Sequence, residues 1–376
     1  MSEPTPARFP LSWPNIFFLA LVHTVGIGGT AVYLSLGGYS HAALVIALVG
    51  SALSIFSLSA GYHRLFAHKA YDAHPLLRAA LLAIGAGTFQ NSAMVWAADH
   101  RRHHKRTDSS LDPYDARQGF WHSHVGWVLR KTPVAMEMHP VPDLERDRLV
   151  SFQHRFYPWV GITFGLLLPT LVGWAFGDPW GGFILGGAAR LVFVYHVTFS
   201  INSFAHMLGT QPYSDRNTSR DSFIAAVLSM GEGYHNFHHT FPVDYRNGVR
   251  GYQFDPSKWT IRALASVGLA RNLKRTPGAV ILRARLKMDT RRLEARPLPD
   301  VLRERVQLLK QALDEKIAQW HELLATHETA QGTREREVLR RLKAEIRQIR
   351  RNVLSLYDDW QALMRSLEPI RVPVRA

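Results

Sequence analysis

The chain has 376 residues, with 45 Lys and Arg against 30 Asp and Glu, 19 His and no Cys. The lack of cysteine excludes disulfides, thiolate metal sites and a cysteine nucleophile. Charge is unevenly distributed: no Asp, Glu, Lys or Arg occurs between residues 9 and 63, and only Asp178 and Arg190 interrupt residues 157–213. Such long apolar stretches exclude a simple soluble domain and indicate a membrane protein.

Four apolar segments, each of about 20 residues, predict membrane-spanning helices, because a helix of that length crosses the hydrocarbon core. They occupy residues 15–36, 41–62, 158–176 and 180–203. Short Gly-containing turns join the first span to the second and the third to the fourth, so we predict two helical hairpins. The first span is too long for the apolar region of a signal peptide.

The basic residues predict the orientation of these hairpins. The loop between them carries thirteen Lys and Arg, whereas the hairpin tips carry none. The positive-inside rule therefore places this loop and both termini in the cytoplasm. We expect a cytoplasmic tail over residues 1–14, and a cytoplasmic cap built from residues 63–157 and 204–299. Residues 76–98 are also apolar, but we expect them to lie in the interface or line a pocket without crossing.

The C-terminal part of the chain has a different pattern. Residues 244–296 are strongly basic, which favours an anionic lipid surface and would equally attract a phosphorylated substrate or an acidic protein; no nucleic-acid-binding signature accompanies them. From residue 300 apolar residues recur at spacings of three and four, which predicts a helical hairpin or coiled coil over residues 300–376. This extension is expected to pack on itself or on a second copy, or else to dock a partner.

Histidines form three clusters with the spacing of metal ligands. His63 and His68 form an H-x-x-x-x-H pair, and H-x-x-H-H occurs at residues 100–104 and again at 235–239. In H-x-x-H-H the imidazoles share one helical face, so we expect all three to converge on one point. The first pair does not align on a regular helix, which predicts irregular backbone after the second span. Neutral imidazole binds Fe, Zn, Cu and Ni, and these eight imidazoles exceed the positions around one ion, so two metals are expected.

The sequence around these clusters resembles a known family. The stretches that match are 61–68, 99–105, 119–127, 202–206 and 231–242. They resemble the membrane-bound fatty acyl desaturases, specifically the stearoyl-CoA (delta-9) desaturase-like group, over about residues 15–290. The resemblance implies an all-α membrane protein in which four spans carry a cytoplasmic helical cap that holds a di-iron site.

The resemblance also implies the ligands and the reaction. Nine histidines would hold two irons: His63, His68, His100, His103, His104, His206, His235, His238 and His239. Asn202 matches an asparagine that reaches one iron through water, and His206 is selected by this Asn-x-x-x-His match alone. The implied reaction is the O2-dependent insertion of a cis double bond, at delta-9, into a saturated acyl chain. It uses two electrons from outside the chain for each turnover.

Four further residues are expected to bind substrate by the same resemblance. Asn91 and Trp96 match positions around the acyl channel, and Arg130 and Lys131 match a basic pair near the coenzyme A phosphates. Ala98 stands where the eukaryotic relatives usually have Arg. Long-chain acyl-CoA is therefore the expected substrate, and a phospholipid acyl chain is the alternative.

The expected partners and location complete these predictions. No His-Pro-Gly-Gly signature of cytochrome b5 occurs, so we expect a bacterial chain of the cytoplasmic membrane with a separate electron donor. That donor is a ferredoxin-like or rubredoxin-like protein with a reductase, or a cytochrome b5-like protein. A related di-iron membrane hydroxylase is an alternative enzyme. A metal transporter is the alternative that is not an enzyme, and it needs ligands within the spans.

Overall fold

The computed structural model of the chain describes residues 10–131, 138–331 and 336–367. The chain divides into two compact units. The first contains residues 1–210 and 216–275, and the second contains residues 211–215 and 276–376. The expected tail and C-terminal extension therefore fall partly outside the described residues.

The first unit is built almost entirely of helices. In chain order its helices are α1 (Trp13–Ser35), α2 (His41–Ala67), α3 (Pro75–Ala86), α4 (Ala93–Arg106), α5 (Pro142–Glu145), α6 (Arg148–Arg155), α7 (Tyr157–Ala175), α8 (Pro179–Met207), α9 (Phe223–Leu228), α10 (His235–Thr240) and α11 (Pro256–Ser266). Two short strands, β1 (Asp72–Ala73) and β2 (Ala270–Arg271), pair in antiparallel fashion.

Four helices of the described chain, α1, α2, α7 and α8, are long and apolar enough to cross a membrane. Their lengths are 23, 27, 19 and 29 residues, and the prediction of four spans is confirmed at this level. The largest difference in bounds is at the end of α2, which continues to Ala67 and not to residue 62. Its last 11 residues, Ser57–Ala67, adopt π-helical geometry, and all of them are buried. The predicted irregular backbone therefore lies inside the helix.

The apolar segment 76–98 contributes to two helices, and each of them is too short to cross a membrane. α3 has 12 residues and α4 has 14, so at about 1.5 Å per residue neither spans a core of about 30 Å. The chain breaks between them because Gly87 ends α3 and both Phe89 and Asn91 adopt positive φ. Ser92 then caps α4 by accepting a hydrogen bond from Val95 N.

The core of the first unit surrounds the π-helical end of α2. Tyr62 and Tyr71 are almost fully buried there, and Leu81 and Leu82 of α3 pack in the same cluster. The Tyr71 hydroxyl donates to Ala60 O at 2.9 Å. This core fixes α2 against α3 and α4, the helices that carry several of the candidate ligands.

The second unit contains three long helices. They are α12 (Gly278–Glu294), α13 (Asp300–Gln331) and α14 (Arg336–Ser366). Their core includes Trp320 and Trp360, and Asp289 accepts hydrogen bonds from the side chains of Tyr357, Trp360 and Gln361. This compact unit begins at residue 276, whereas the extension was expected from residue 300, because α12 packs its buried face into the same core.

Candidate metal centre

Nine buried or partly buried histidines form two neighbouring groups in the first unit. Within each group, the donor nitrogens all lie within 4.8 Å of one another. The five-histidine group contains His63, His68, His100, His104 and His238. The four-histidine group contains His103, His206, His235 and His239. The rings of His104 and His239, one from each group, stack with centroids 4.2 Å apart.

The π-helical end of α2 explains how His63 and His68 come together. A π-helix bonds residue i to residue i+5, and His68 N donates to His63 O at 3.0 Å. Side chains five residues apart then lie one above the other, as those four apart do on an α-helix. Arg101 of α4 holds this end in place by donating to the carbonyl oxygens of Phe66 and Ala67 at 2.8 and 2.9 Å.

Each H-x-x-H-H motif divides between the two groups. On α4, His100 and His104 enter the five-histidine group, whereas His103 enters the four-histidine group. On α10, His235 and His239 share the four-histidine group, and His238 enters the other. The expectation that all three imidazoles converge on one point is therefore wrong. Residues i+3 and i+4 differ by about 100° around a helix, so neighbouring histidines on α4 and α10 face different groups.

The last turn of α8 supplies the remaining histidine. His206 Nε2 lies 3.1 Å from His235 Nε2, and Asn202 stands one turn earlier on the same helix. Asn202 lines the same cavity as His103 and His235. The structure thus places Asn202 beside the four-histidine group, as the Asn-x-x-x-His match suggests.

Most of these imidazoles are held neutral, the state in which histidine binds metal. Burial, reinforced by the neighbouring imidazoles, lowers the pKa of six of them well below the usual value: His68, His100, His104, His235, His238 and His239. These neutral imidazoles can then bind a cation without first losing protons.

A buried carboxylate orients one ligand of the five-histidine group. Glu232 Oε2 lies 2.7 Å from His63 Nδ1, so that nitrogen donates and leaves the Nε2 lone pair facing the other histidines. Burial favours a neutral carboxyl, but His63 and Arg64 outweigh it and lower the pKa of Glu232 to about 2. Arg64, which donates to Glu232 at 2.9 Å, also pairs with Asp255.

Hydrogen-bond acceptors also orient the four-histidine group. Asp112 Oδ1 lies 2.8 Å from His103 Nδ1, and it also accepts from Tyr114 N at 3.0 Å. His103 and these hydrogen bonds lower the pKa of Asp112 despite its burial. Thr218 Oγ1 lies 2.8 Å from His206 Nδ1 and donates to Asp108 Oδ1 at 2.8 Å. The sequence does not predict a role for these acceptors, because they occur at no regular spacing from the histidines.

The donor set fits two transition-metal ions. Nε2–Nε2 distances between neighbouring histidines are 2.8–2.9 Å in the five-histidine group and 3.1 Å in the other. Metal–nitrogen bonds of about 2.1 Å at right angles put adjacent donors ~3 Å apart. Imidazole ligands suit iron as well as zinc, copper and nickel.

A cavity of about 380 Å³ is lined by residues of the membrane spans and of both histidine groups. Its lining includes apolar side chains such as Phe18, Ile55 and Phe89 together with His63, His100, His103 and His235. We call it the first cavity. A cavity with many apolar lining residues next to candidate metal ligands suits a hydrocarbon chain.

The four predicted substrate residues have different positions relative to the first cavity. Asn91, Trp96 and Arg130 line it, and the Trp96 ring stacks on His100 with centroids 4.9 Å apart. Lys131 is exposed and is not among the lining residues, and its backbone N donates to Pro10 O at 2.9 Å. The structure therefore brings three of the four together with the histidines.

Comparison with known proteins agrees with this arrangement. Residues 39–270, more than half of the chain, match the family model described as fatty acid desaturase. The chain belongs to the fatty acid desaturase family. The matched range contains all nine histidines of the two groups.

Named relatives of this desaturase-family chain come from yeasts and a mammal. It is 44% identical over 236 residues to the probable acyl-CoA desaturase of Schizosaccharomyces pombe, and 43% over 239 residues to acyl-CoA desaturase 1 of Saccharomyces cerevisiae. These alignments cover 62% and 63% of the chain but 49% and 47% of the relatives, so it spans about half their length. It is also 36% identical over 291 residues to acyl-CoA desaturase 3 of Mus musculus, covering 76% of this chain and 80% of that protein.

Proposed function

We propose that the chain is an O2-dependent fatty acyl desaturase that inserts a cis double bond, at delta-9, into a saturated acyl chain carried by coenzyme A. The observation that carries the proposal is the pair of histidine groups, members of which line a largely apolar cavity, in a chain of this family. Removing hydrogen from an unactivated methylene requires a stronger oxidant than any side chain supplies. Two iron ions would supply it by activating O2 when bound.

The two histidine groups would hold one iron each. In this proposal the five-histidine group binds one ion, and the four-histidine group binds the other together with Asn202 through water. Glu232 and Asp112 keep His63 and His103 in the tautomer that presents Nε2. The buried side chains around both groups exclude bulk water from the site.

The first cavity would position the substrate. Its apolar side chains would hold the acyl tail, Trp96, which stacks on His100, would flank the segment nearest the histidines, and Asn91 would contact the tail elsewhere in the lining. We assign Arg130, at the cavity, and the exposed Lys131 to the coenzyme A phosphates. A phospholipid acyl chain is the alternative substrate, and Ala98, which is fully buried, leaves no basic group at its position to favour coenzyme A.

The electron donor and the orientation follow from the same proposal. In this proposal the protein lies in a bacterial inner membrane, and the thirteen basic residues of the loop between the spans favour a cytoplasmic position for the histidine groups and both termini. Two electrons per turnover come from a separate ferredoxin-like, rubredoxin-like or cytochrome b5-like protein, since side chains alone supply none.

We propose that the C-terminal extension docks this donor or a second copy of the chain. Support comes from α14, on which five exposed cations share one face: Arg336, Arg340, Lys343, Arg347 and Arg350. Such a face attracts an acidic protein. Deleting residues 300–376 should slow electron transfer or change oligomer size, and a deletion that changes neither contradicts this role.

The decisive experiment is the fatty-acid profile of a host that lacks its own desaturase and contains a ferredoxin–reductase system. Cells expressing the chain should gain cis-9 monounsaturated acids, located by mass spectrometry, and cells expressing His238→Ala should not. Hydroxylated chains would indicate the related hydroxylase instead. If purified chain contains no iron and gives no product with any donor class, the proposal is wrong.

A further inference from the structure

Arg190 is a buried charge in the middle of a helix that can span the membrane. Its residue is only 5% exposed, and it forms no ion pair with any described residue. Charged side chains within spans are costly and usually serve a function. The proposed metal groups and the substrate contacts described above do not use Arg190.

The Arg190 guanidinium joins four elements through neutral acceptors. Nε donates to Gly186 O at 2.7 Å in its own helix, and Nη1 donates to Ser54 Oγ of α2 at 2.6 Å. Nη2 donates to Gly87 O at 3.1 Å and to Gly165 O at 2.8 Å. One planar side chain thus ties α2, the end of α3, α7 and α8 together.

The two glycine carbonyls need such a donor. Gly87 ends α3, where the last carbonyls of a helix lack partners, and Gly165 lies in the π-helical segment Thr163–Leu167 of α7. Water is absent from the membrane core, so these oxygens must be satisfied by the protein. A lysine ammonium is a point charge and lacks the planar fork that reaches both carbonyls and Ser54 together.

These contacts lie along the border between two cavities. A second cavity of about 570 Å³ is lined almost entirely by apolar side chains of α2, α7 and α8. Adjacent Ser54 and Ile55 line the second and the first cavity respectively. Arg190 lines the second cavity, whereas Phe89, two residues beyond Gly87, lines the first.

The border is tightly packed on both sides of Arg190. A Cβ at Gly165 would lie 2.6 Å from both Gly87 O and the Phe89 ring, so only glycine permits this approach. On α2, a Cβ at Gly50 would lie 3.0 Å from Arg190 Cδ. The guanidinium and the Gly87–Phe89 turn therefore fill the space between the cavities.

We propose that Arg190 is a positioning residue that sets the longest acyl chain the first cavity accepts. Its hydrogen bonds hold the Gly87–Asn91 turn against α7 and close the first cavity from the second. This inference rests on the proposed function and adds a specificity determinant to it. Without the guanidinium, the turn loses its anchor and the apolar second cavity becomes an extension for a longer tail.

The test compares palmitoyl-, stearoyl- and arachidoyl-CoA as substrates of the purified, iron-loaded full chain. Arg190→Leu should raise the kcat/KM ratio of arachidoyl-CoA to palmitoyl-CoA by about tenfold or more, since an apolar pocket discriminates single methylenes by 10–200-fold. Adding Val49→Phe, which fills only the second cavity, should reverse that gain. Iron content and thermal unfolding of each variant are measured alongside.

Val49→Phe alone provides a measurement that does not depend on how Arg190→Leu folds. If the two cavities are separate, Val49→Phe in the otherwise unchanged protein should not alter which acyl chain lengths are desaturated. If Val49→Phe alone shortens the preferred acyl chain, the cavities are already joined and the inference is overturned. The inference is also overturned if Arg190→Leu retains its iron and its chain-length preference does not change. Absence of any unsaturated product from the unchanged chain counts against the proposed function instead.

Discussion

The two carboxylates that contact the histidines are expected to differ in how much they contribute to metal binding and to folding. Glu232 and Asp112 each accept a hydrogen bond from one histidine, but their surroundings differ. Glu232 also pairs with buried Arg64, whereas Asp112 also accepts hydrogen bonds from the backbone N–H groups of Tyr114 and Asp108. Loss of the carboxylate charge should therefore reduce the stability of the fold at Glu232, whereas at Asp112 it should mainly reduce metal affinity.

Asp112→Asn should weaken metal binding in the four-histidine group alone. An amide in place of the carboxylate holds His103 less firmly and lowers its basicity, and such changes cost 10–100-fold in metal affinity. At limiting iron, the purified variant should retain about one ion per chain, as measured by elemental analysis. Glu337→Gln, which changes an exposed carboxylate of α14, is the matched control and should retain the full iron content. Equal loss from both groups would contradict this assignment.

Glu232→Gln should reduce stability as well as metal content. It leaves the Arg64 guanidinium, which is 1% exposed, with Asp255 as its remaining carboxylate partner. Breaking a buried ion pair costs about 3–5 kcal/mol. We expect a clear fall in the midpoint of thermal unfolding in detergent, larger than that of Asp112→Asn. A variant that lost iron while keeping its unfolding midpoint would show that Glu232 acts on His63 only.

At the scale of elements, the packing of α3 on the end of α2 decides where His63 points. Gly85 of α3 faces the ring of Tyr62, the residue before His63, and Tyr62 is fully buried with its hydroxyl 2.7 Å from Gln153 Nε2. The histidine spacing predicts that α2 ends irregularly, but the π-helical geometry that aligns His63 with His68 depends on this tertiary packing. For the same reason, spacing alone does not reveal that α4 and α10 each serve two groups.

Gly85→Ala should destabilise the chain and lower its iron content, because a Cβ there overlaps the Tyr62 ring. Overpacking in a filled core typically costs about 1–3 kcal/mol. Thermal unfolding and elemental analysis provide the measurements. Gly28→Ala in α1 is the matched control, since a Cβ there meets nothing within 4 Å, and it should leave both quantities unchanged or slightly raise stability. Identical behaviour of the two variants would refute the packing argument.

For the molecule as a whole, composition and motifs predict much of the architecture. The uneven charge predicts four spans, and the resemblance predicts all nine histidines that the structure brings together. The carboxylates that orient the ligands and the hydrogen bonds of Arg190 are tertiary contacts between residues far apart in sequence. The grouping of α12 with the last two helices likewise depends on packing, which the basic composition of residues 244–296 does not reveal.

Removing metal should destabilise the first unit. A ligand that binds only the folded state stabilises it by about 2.7 kcal/mol at 100 times its Kd. Treatment with a membrane-permeable chelator should lower the midpoint of thermal unfolding by several degrees, and added ferrous iron should restore it. The midpoint of His238→Ala, which leaves only the four-histidine group intact, should respond less to either treatment. If the midpoint of thermal unfolding is the same before and after treatment with the chelator, the histidine groups bind no ion tightly.

The division of ligands along the chain has a consequence for how the protein is made. In the five-histidine group, four ligands precede α7 and His238 follows α8; in the other group, only His103 precedes α7. Neither half of the chain can complete a site, so both sites become available only after the ribosome has passed His239 and all four spans have inserted. A metal ion bound to either group would therefore bind after insertion, and it would link the early and late halves of one polypeptide. In iron-starved cells the chain should accumulate in the membrane fully inserted, with its halves held by protein contacts such as the Arg64–Glu232 pair but not by metal.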